Sequence, residues 1–387
     1  MTRLDKHYMG SSGPSLSPLY SCHALYHYPN SVQDAFAILF AAYHPSLNLL
    51  GISTVHGNAP LTHTTYNATS LLTAMSATHI PVYAGANSGL IRPAVHAGDI
   101  HGESGLDGTS LLPTPAIPHV DEPAIAAMAT ALLSTKEGTA WLVATGALTN
   151  IARLFEEYPH VASHIKGLSI MGGAIGEGFT NAVMGKVDDR ERIGNWSAWA
   201  EFNILVDPEA AAHIFSNPVL APKTVLIPLD VTHLVLATKE VQKLLLYGKL
   251  STGAEMEGKS RLRVMLVELL TFFAKTYADV FGITEGPPLH DPLAVAVILD
   301  GIVGEELPFF DFRQERGRER FEVRVVTEGS HDDAQKGSET GRTIVKLLPE
   351  GQEGVKIPRG LDIGRFWTVL EGCLERAEDA NRANGVE

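Results

Sequence analysis

The chain predicts an α/β fold: a mostly parallel, doubly wound, Rossmann-like sheet flanked by helices, with a C-terminal hairpin and helix. Two observations carry that expectation. Short apolar runs that end at Gly, Asp or other turn residues alternate with stretches of helical periodicity, the order that builds βαβ units. The 387 residues, 45% of them hydrophobic, are also enough to bury a large core between two helical layers and a sheet.

In order, residues 1–18 are rich in Ser, Gly and Pro and read as a disordered arm, leaving 19–387 as one α/β domain. A helix is expected from Asp34 to about 44, where polar turn residues run into an apolar pattern and Asp34 suits a helix N-terminus. The stretch before it, Tyr20 to Tyr26, lacks the continuous apolar character of a buried strand. Strands are expected at 47–55, 80–84, 141–145, 167–171 and 224–229, the last ending at Asp230. Helices are expected at 64–76, 122–133 and, as one long element, 259–280. Asp207-Pro208-Glu209 is a helix start, with Asp as N-cap and Pro at the first helical position. Residues 89–119 and 176–199 are long and polar or Gly- and Pro-rich, so each is expected to loop over a site. Beyond about 304 the chain is more charged; 321–326 and 343–348 read as a hairpin and 361–380 as an amphipathic helix.

The formal charge of −14 and a pI near 5.6 argue against gripping nucleic-acid phosphates or an anionic membrane, and favour a small ligand. Two cysteines, Cys22 and Cys373, supply neither a disulfide framework nor a cysteine metal site. The N-terminus has no apolar signal-peptide core and later apolar runs are broken by Pro, His or charge, so a cytoplasmic protein is expected.

In a parallel sheet, polar residues at strand ends converge on one edge. Here these are His56-Gly57-Asn58, Thr145-Gly146, Met171-Gly172-Gly173 and Asp230, joined by the rigid turn Pro287-Pro288-Leu289-His290-Asp291-Pro292. Taken singly, each has a structural explanation: Asp291 before Pro292 is a common N-cap arrangement, Asp34 a carboxylate favoured by a helix dipole, and Gly172-Gly173 a turn.

Together, their order and local sequences resemble the inosine/uridine-type nucleoside hydrolase family. The carriers are Val-His-Gly-Asn at 55–58, Ile-His-Gly-Glu-Ser-Gly-Leu-Asp-Gly at 100–108, Ala-Thr-Gly-Ala-Leu-Thr-Asn-Ile-Ala at 144–152 and Met-Gly-Gly-Ala at 171–174. They continue with Gly-Asn at 194–195, Ala-Glu-Phe-Asn-Ile-Leu-Val-Asp-Pro-Glu-Ala-Ala at 200–211, Leu-Asp-Val-Thr-His at 229–233 and Pro-Pro-Leu-His-Asp-Pro-Leu-Ala-Val at 287–295.

The resemblance implies hydrolysis of the N-glycosidic bond of a ribonucleoside, through an oxocarbenium-like state, with calcium as cofactor and a homo-oligomer as the assembly. It makes Asp34 and Asp291 calcium ligands through their carboxylates, and Thr145 a ligand through its main-chain carbonyl. Asn58 and Asn203 would hold ribose hydroxyls, Asn195 and Glu201 the hydroxymethyl end, and Met171 would pack near the sugar. His290 would protonate the departing base, His101 would wall the base pocket, and Tyr277 would join that wall at a looser spacing. The catalytic candidates are thus His290 and Asp34.

The chain departs from the family pattern in one block. Where the family has Asp-x-Asp-x-Gly-x-Asp-Asp, this sequence has His27, Pro29, Ser31, Gln33 and Asp34 at the specified positions. Pro29 stands where the family keeps the Asp that ligates calcium and acts as general base on water, and its side chain has no oxygen. Gln33 keeps an acceptor but loses the charge. His27 replaces a carboxylate that points elsewhere, so it is not read as the missing base. Loss of a positioned base removes about 10²–10⁴ in rate, so an impaired enzyme with a weakened calcium site is expected. The alternatives are a non-catalytic nucleoside- or ribose-binding protein and a fold-only interaction subunit. One contiguous replaced block, with every downstream motif intact, is the pattern a misassigned first exon or start leaves.

Overall fold

The computed structural model describes residues 22–28, 32–96, 105–187, 190–248, 260–272, 274–302, 306–311 and 318–386, with backbone alone for 22–28, 32, 187 and 190. The expected arm at 1–18 lies outside the described residues, as do Pro29, Ser31 and His101.

A six-stranded parallel sheet organises the chain. Its strands are β1 (Cys22–Tyr28), β2 (Leu47–Thr54), β3 (Val82–Ala84), β4 (Ala140–Ala144), β5 (Gly167–Met171) and, after a small hairpin of β6 (Lys186–Val187) and β7 (Arg190–Glu191), β8 (Thr224–Ile227). They lie in the order β3-β2-β1-β4-β5-β8, so the sheet grows outward in both directions from β1. The order reverses between β1 and β4, and ligands of such sheets bind beyond the carboxyl ends of the strands at that switch point. Asp34 and Thr145 follow those two strands.

β1 corrects the expectation that no strand precedes Asp34. Its backbone pairs in parallel with β2 and with β4, with a register shift between Ala24 and Leu25. Two flanking partners stabilise a strand whose own sequence, Cys-His-Ala-Leu-Tyr-His-Tyr, is not continuously apolar.

Helix α1 (Val32–Tyr43) runs from the switch point into the core, and Phe36, Ile38, Leu39 and Phe40 are fully buried. It packs against the Asp291–Ala296, Arg261–Phe272 and Ile363–Asn384 helices. Phe40 stacks on Phe366 with ring centroids 6.3 Å apart, which ties α1 to the C-terminal helix. Buried Arg263 bonds Glu371 and Glu378 at 2.8 Å each, tying the same helix to Arg261–Phe272.

The expected long helix is helical wherever it is described between 261 and 281, as Arg261–Phe272 and Ala274–Phe281. Two further expectations shift. β8 stops at Ile227, and Asp230 lies in the Leu229–Thr232 helical turn rather than at a strand end. Its buried carboxylate accepts from the Ile175 and Gly176 N–H groups, both at 2.8 Å, so it braces the loop after β5. Asp291 is the first residue of its helix, with His290 at the cap.

The C-terminal hairpin forms as expected from β10 (Phe321–Val325) and β11 (Thr343–Leu347), antiparallel, with the His331–Gln335 helix in its connection. Before it, β9 (Phe309–Phe310) pairs with β12 (Gly360–Leu361). The hairpin packs on the Pro208–Phe215 helix, which Asp207 caps through the Ala210 N–H at 3.1 Å. No helix among the described residues is long and apolar enough to cross a membrane.

Candidate active site

The switch point brings together side chains from four places in the sequence. Asp34, fully buried in the first turn of α1, accepts from the Thr145 hydroxyl at 2.9 Å. The Thr145 carbonyl accepts from Asn203 Nδ2 at 2.8 Å, and the same amide reaches the Met171 carbonyl at 3.2 Å and its sulfur at 3.3 Å. Asn203 therefore ties the ends of β4 and β5 together. It can do so because the Phe202–Leu205 helix is a single turn, held at this depth by its N-cap, Glu201.

Glu201 is buried, and no ion pair to it is formed among the described residues. One carboxylate oxygen accepts from Asn203 N at 2.9 Å; the other accepts from Gly173 N at 2.9 Å and Ile204 N at 3.2 Å. Burial outweighs those three N–H groups and pushes its pKa up to about 7. Asn195 lies beside it, its side-chain oxygen accepting from Phe202 N at 2.8 Å. Arg192 holds the loop from below, donating to the carbonyls of Gly194 and Asn195, both at 2.8 Å. The turn is as tight as glycine allows: a Cβ on Gly194 would lie 2.0 Å from the Ala200 carbonyl oxygen.

His290 is buried at the cap of the Asp291–Ala296 helix. Its Nδ1 faces the Thr232 hydroxyl and its Nε2 the Tyr277 hydroxyl. Thr232 Oγ1 also lies 3.4 Å from the Leu229 carbonyl, which can take its only proton. The hydroxyl is then an acceptor for Nδ1–H, and Nε2 accepts from Tyr277 O–H. Burial raises the Tyr277 phenol well above its ordinary range, so it remains a donor. Behind the pair, His233 packs edge-on against Tyr277 and Phe281, with centroids 6.0 and 5.6 Å away. Burial lowers its pKa to about 4, so the ring is neutral; Nδ1–H donates to the Val183 carbonyl at 2.7 Å. Asp291, also buried, follows His290 at the start of its helix.

Asn58 is buried on the loop after β2. That loop is held by His56, whose Nε2 lies 3.1 Å from the Thr149 hydroxyl, and by His96, whose Nδ1 donates to the Gly57 carbonyl at 2.9 Å. Thr149 in turn donates to Asp207 Oδ2, which also accepts from Leu90 N at 2.9 Å and so anchors the following loop. Sequence reasoning gave no role to Thr232, His233 or Phe281 around His290 and Tyr277, nor to Thr149 beside His56. Thr149, Thr232 and His233 stand inside quoted motifs, the one signal that marked them.

The described residues do not fit calcium. They bring two carboxylates, Asp34 and Asp291, and the Thr145 carbonyl to this corner, against the roughly 6–8 oxygens calcium takes. Thr145 and Asn203 already donate to or accept from two of these groups, and no cluster of three or more His, Cys, Asp or Glu gathers among the described residues.

Comparison with known proteins bears on these residues. The family model described as inosine-uridine preferring nucleoside hydrolase matches residues 29–368. A uridine nucleosidase of Saccharomyces cerevisiae is 38% identical over 349 residues, 89% of this chain and 93% of that protein. A pyrimidine-specific ribonucleoside hydrolase of Escherichia coli is 34% identical over 267 residues, 69% of this chain and 76% of that protein. Among solved structures, a purine-preferring ribonucleoside hydrolase from Gardnerella vaginalis shares the fold with a TM-score of 0.72 at 24% identity, covering 92% of this chain and 99% of its own.

Proposed function

The chain belongs to the inosine-uridine preferring nucleoside hydrolase family, and from that membership we propose that its site binds a ribonucleoside and is built to hydrolyse the N-glycosidic bond, with turnover impaired by the residues before Asp34. One observation carries the reading. Glu201 and Asn203 stand at the ends of β4 and β5, while His290 and Tyr277 form a buried hydrogen-bonded pair near enough for the Asp291 and Glu201 charges to act on the Tyr277 phenol. That gives a polar end for ribose and an aromatic, proton-bearing end for a base.

In this reading Asn203, Asn58 and the Asn195–Glu201 pair hold the ribose, and Met171 packs beside it. Departure of the base leaves an oxocarbenium-like sugar, and the base gains from a proton as it leaves. With Nε2 accepting from Tyr277, a protonated His290 reverses that bond and donates Nε2–H to the phenolic oxygen. The Tyr277 O–H is then available to the base. Proton delivery thus runs from His290 through Tyr277, and Thr232 fixes the ring. The water side is the deficient one: Pro29 offers no side-chain base, and loss of such a base removes about 10²–10⁴ in rate. Asp34, Asp291 and the Thr145 carbonyl alone would hold calcium among the described residues, and its binding is expected to be weak.

Uridine is the first substrate to test, since the relatives from S. cerevisiae and E. coli are named for uridine and pyrimidine nucleosides. Base release from uridine and inosine, with calcium present, should be slow for this chain and restored when the block before Asp34 is rebuilt to the acidic pattern. If both forms are inert, the assignment of the downstream motifs to catalysis is wrong. A second reading, ribonucleoside binding without turnover, is favoured by the intact Asn195–Glu201–Asn203 half. It predicts binding with no base release in either form. A fold-only subunit predicts that no nucleoside raises the melting temperature. An uninterrupted transcript encoding His27 to Gln33 would remove the misassigned exon as the source of the departure. The homo-oligomer belongs with these proposals, and light scattering tests it.

A further inference from the structure

We propose that Gln33 is a positioning residue: its neutral carboxamide clasps the Pro288–His290 turn to α1 and so sets where the His290 ring and the Asp291 carboxylate stand. Gln33 is buried, 5% exposed, in the first turn of α1. Its Nε2 donates to the Pro288 carbonyl at 3.1 Å, and its Oε1 accepts from the His290 backbone N–H. The two bonds together read one carbonyl and one N–H two residues apart, as a neighbouring strand would.

The rest of the turn explains why this contact matters. From the other side, Ala237 N donates to the Pro287 carbonyl and Leu289 N donates to Val235, both at 2.9 Å. Pro287, Pro288 and Pro292 have no N–H to offer. The Pro288 carbonyl and His290 N–H point the other way, toward α1, and there Gln33 meets both. A carboxylate can only accept. Aspartate at this position, the family's residue, would lose the bond to Pro288, set an oxygen against that carbonyl and fall one methylene short. The acceptor that Gln33 keeps is thereby committed to the scaffold.

The inference rests on the reading that His290 and Asp291 belong to the site, and its test separates the two. Histidine-selective ¹⁵N labelling of the full chain allows amide exchange at His290 to be followed in wild type, Gln33→Met and Gln33→Glu. Methionine keeps the shape and neither bond, while glutamate keeps an acceptor and loses the donor. Exchange at His290 should rise about tenfold in Gln33→Met, with Gln33→Glu between it and wild type, and histidines away from the turn unchanged. Equal His290 exchange in wild type and Gln33→Met overturns the clasp, whatever the activity. Uridine release by the same proteins bears on the substrate reading alone: a clasp confirmed by exchange stands even if no variant turns over uridine.

Discussion

Glu201 should leave a signature in how stability depends on pH. Its pKa rises from an ordinary 4.5 to about 7 because burial outweighs the three N–H groups that meet it. A folded-state value above the unfolded one means that the folded chain holds the proton more tightly. Its stabilising share is complete below pH 4.5 and is lost as pH rises through about 7. At 1.36 kcal/mol per unit, the shift amounts to about 3 kcal/mol. Asp230, also raised by burial, to about 6, adds a loss of the same sign, and neutral His233 adds one of opposite sign at acid pH. Comparison with Glu201→Gln removes both. The variant sets an NH₂ against one of the backbone donors, which costs a roughly constant 1–3 kcal/mol at every pH. Urea unfolding from pH 4.5 to 8.5 should show wild type losing about 3 kcal/mol relative to Glu201→Gln across that range. A difference that stays flat with pH would refute the assignment of a buried, protonatable Glu201.

Two other substitutions probe the frame around the site. Gly194→Ala places a Cβ 2.0 Å from the Ala200 carbonyl oxygen, so the backbone must shift and Asn195 with it; a stability loss of about 1–3 kcal/mol and loss of uridine-induced thermal stabilisation are expected, read by differential scanning fluorimetry. Arg263→Met leaves Glu371 and Glu378 buried without their shared cation. Urea unfolding should show a loss of about 3–5 kcal/mol at pH 7 that narrows in acid as the carboxylates take up protons.

The parts of the fold written locally were legible. β5 falls where a short apolar run ends at paired glycines, because strands of a parallel sheet are buried on both faces. Asp207-Pro208 starts a helix because the cap bond to Ala210 spans three residues. β1 was not legible, since its stability comes from β2 and β4 on either side rather than from its own composition. Nor was the place of Asp230, which turns toward a loop 55 residues earlier. The site divides in the same way. Motifs marked Glu201, Asn203, Thr145 and His290, but the clasp from Gln33 to His290 spans 257 positions and the link from Thr232 to His290 spans 58. No pattern within a single segment encodes such a pair.

The surviving charge has a consequence for metal dependence. Asp34 and Asp291 are both buried, and each sits in the first turn of a helix, where N–H groups and the helix dipole favour a carboxylate without a cation. Thr145 adds a hydroxyl donor to Asp34. This chain should therefore fold with the same melting temperature in EDTA as in millimolar calcium. The rebuilt chain, with His27→Asp, Pro29→Asp, Ser31→Gly and Gln33→Asp, adds three carboxylates to the block before Asp34 and removes the clasp on His290. Like charges packed out of water repel strongly, and a bound cation is the means of relieving them. In EDTA the rebuilt chain should melt several degrees below the present one, about 1–2 kcal/mol at this size, and calcium should recover at least that difference. If the rebuilt chain were as stable in EDTA as the present one and indifferent to calcium, the acidic block would not face Asp34 and Asp291. The departure at 27–33 would then not account for impaired turnover.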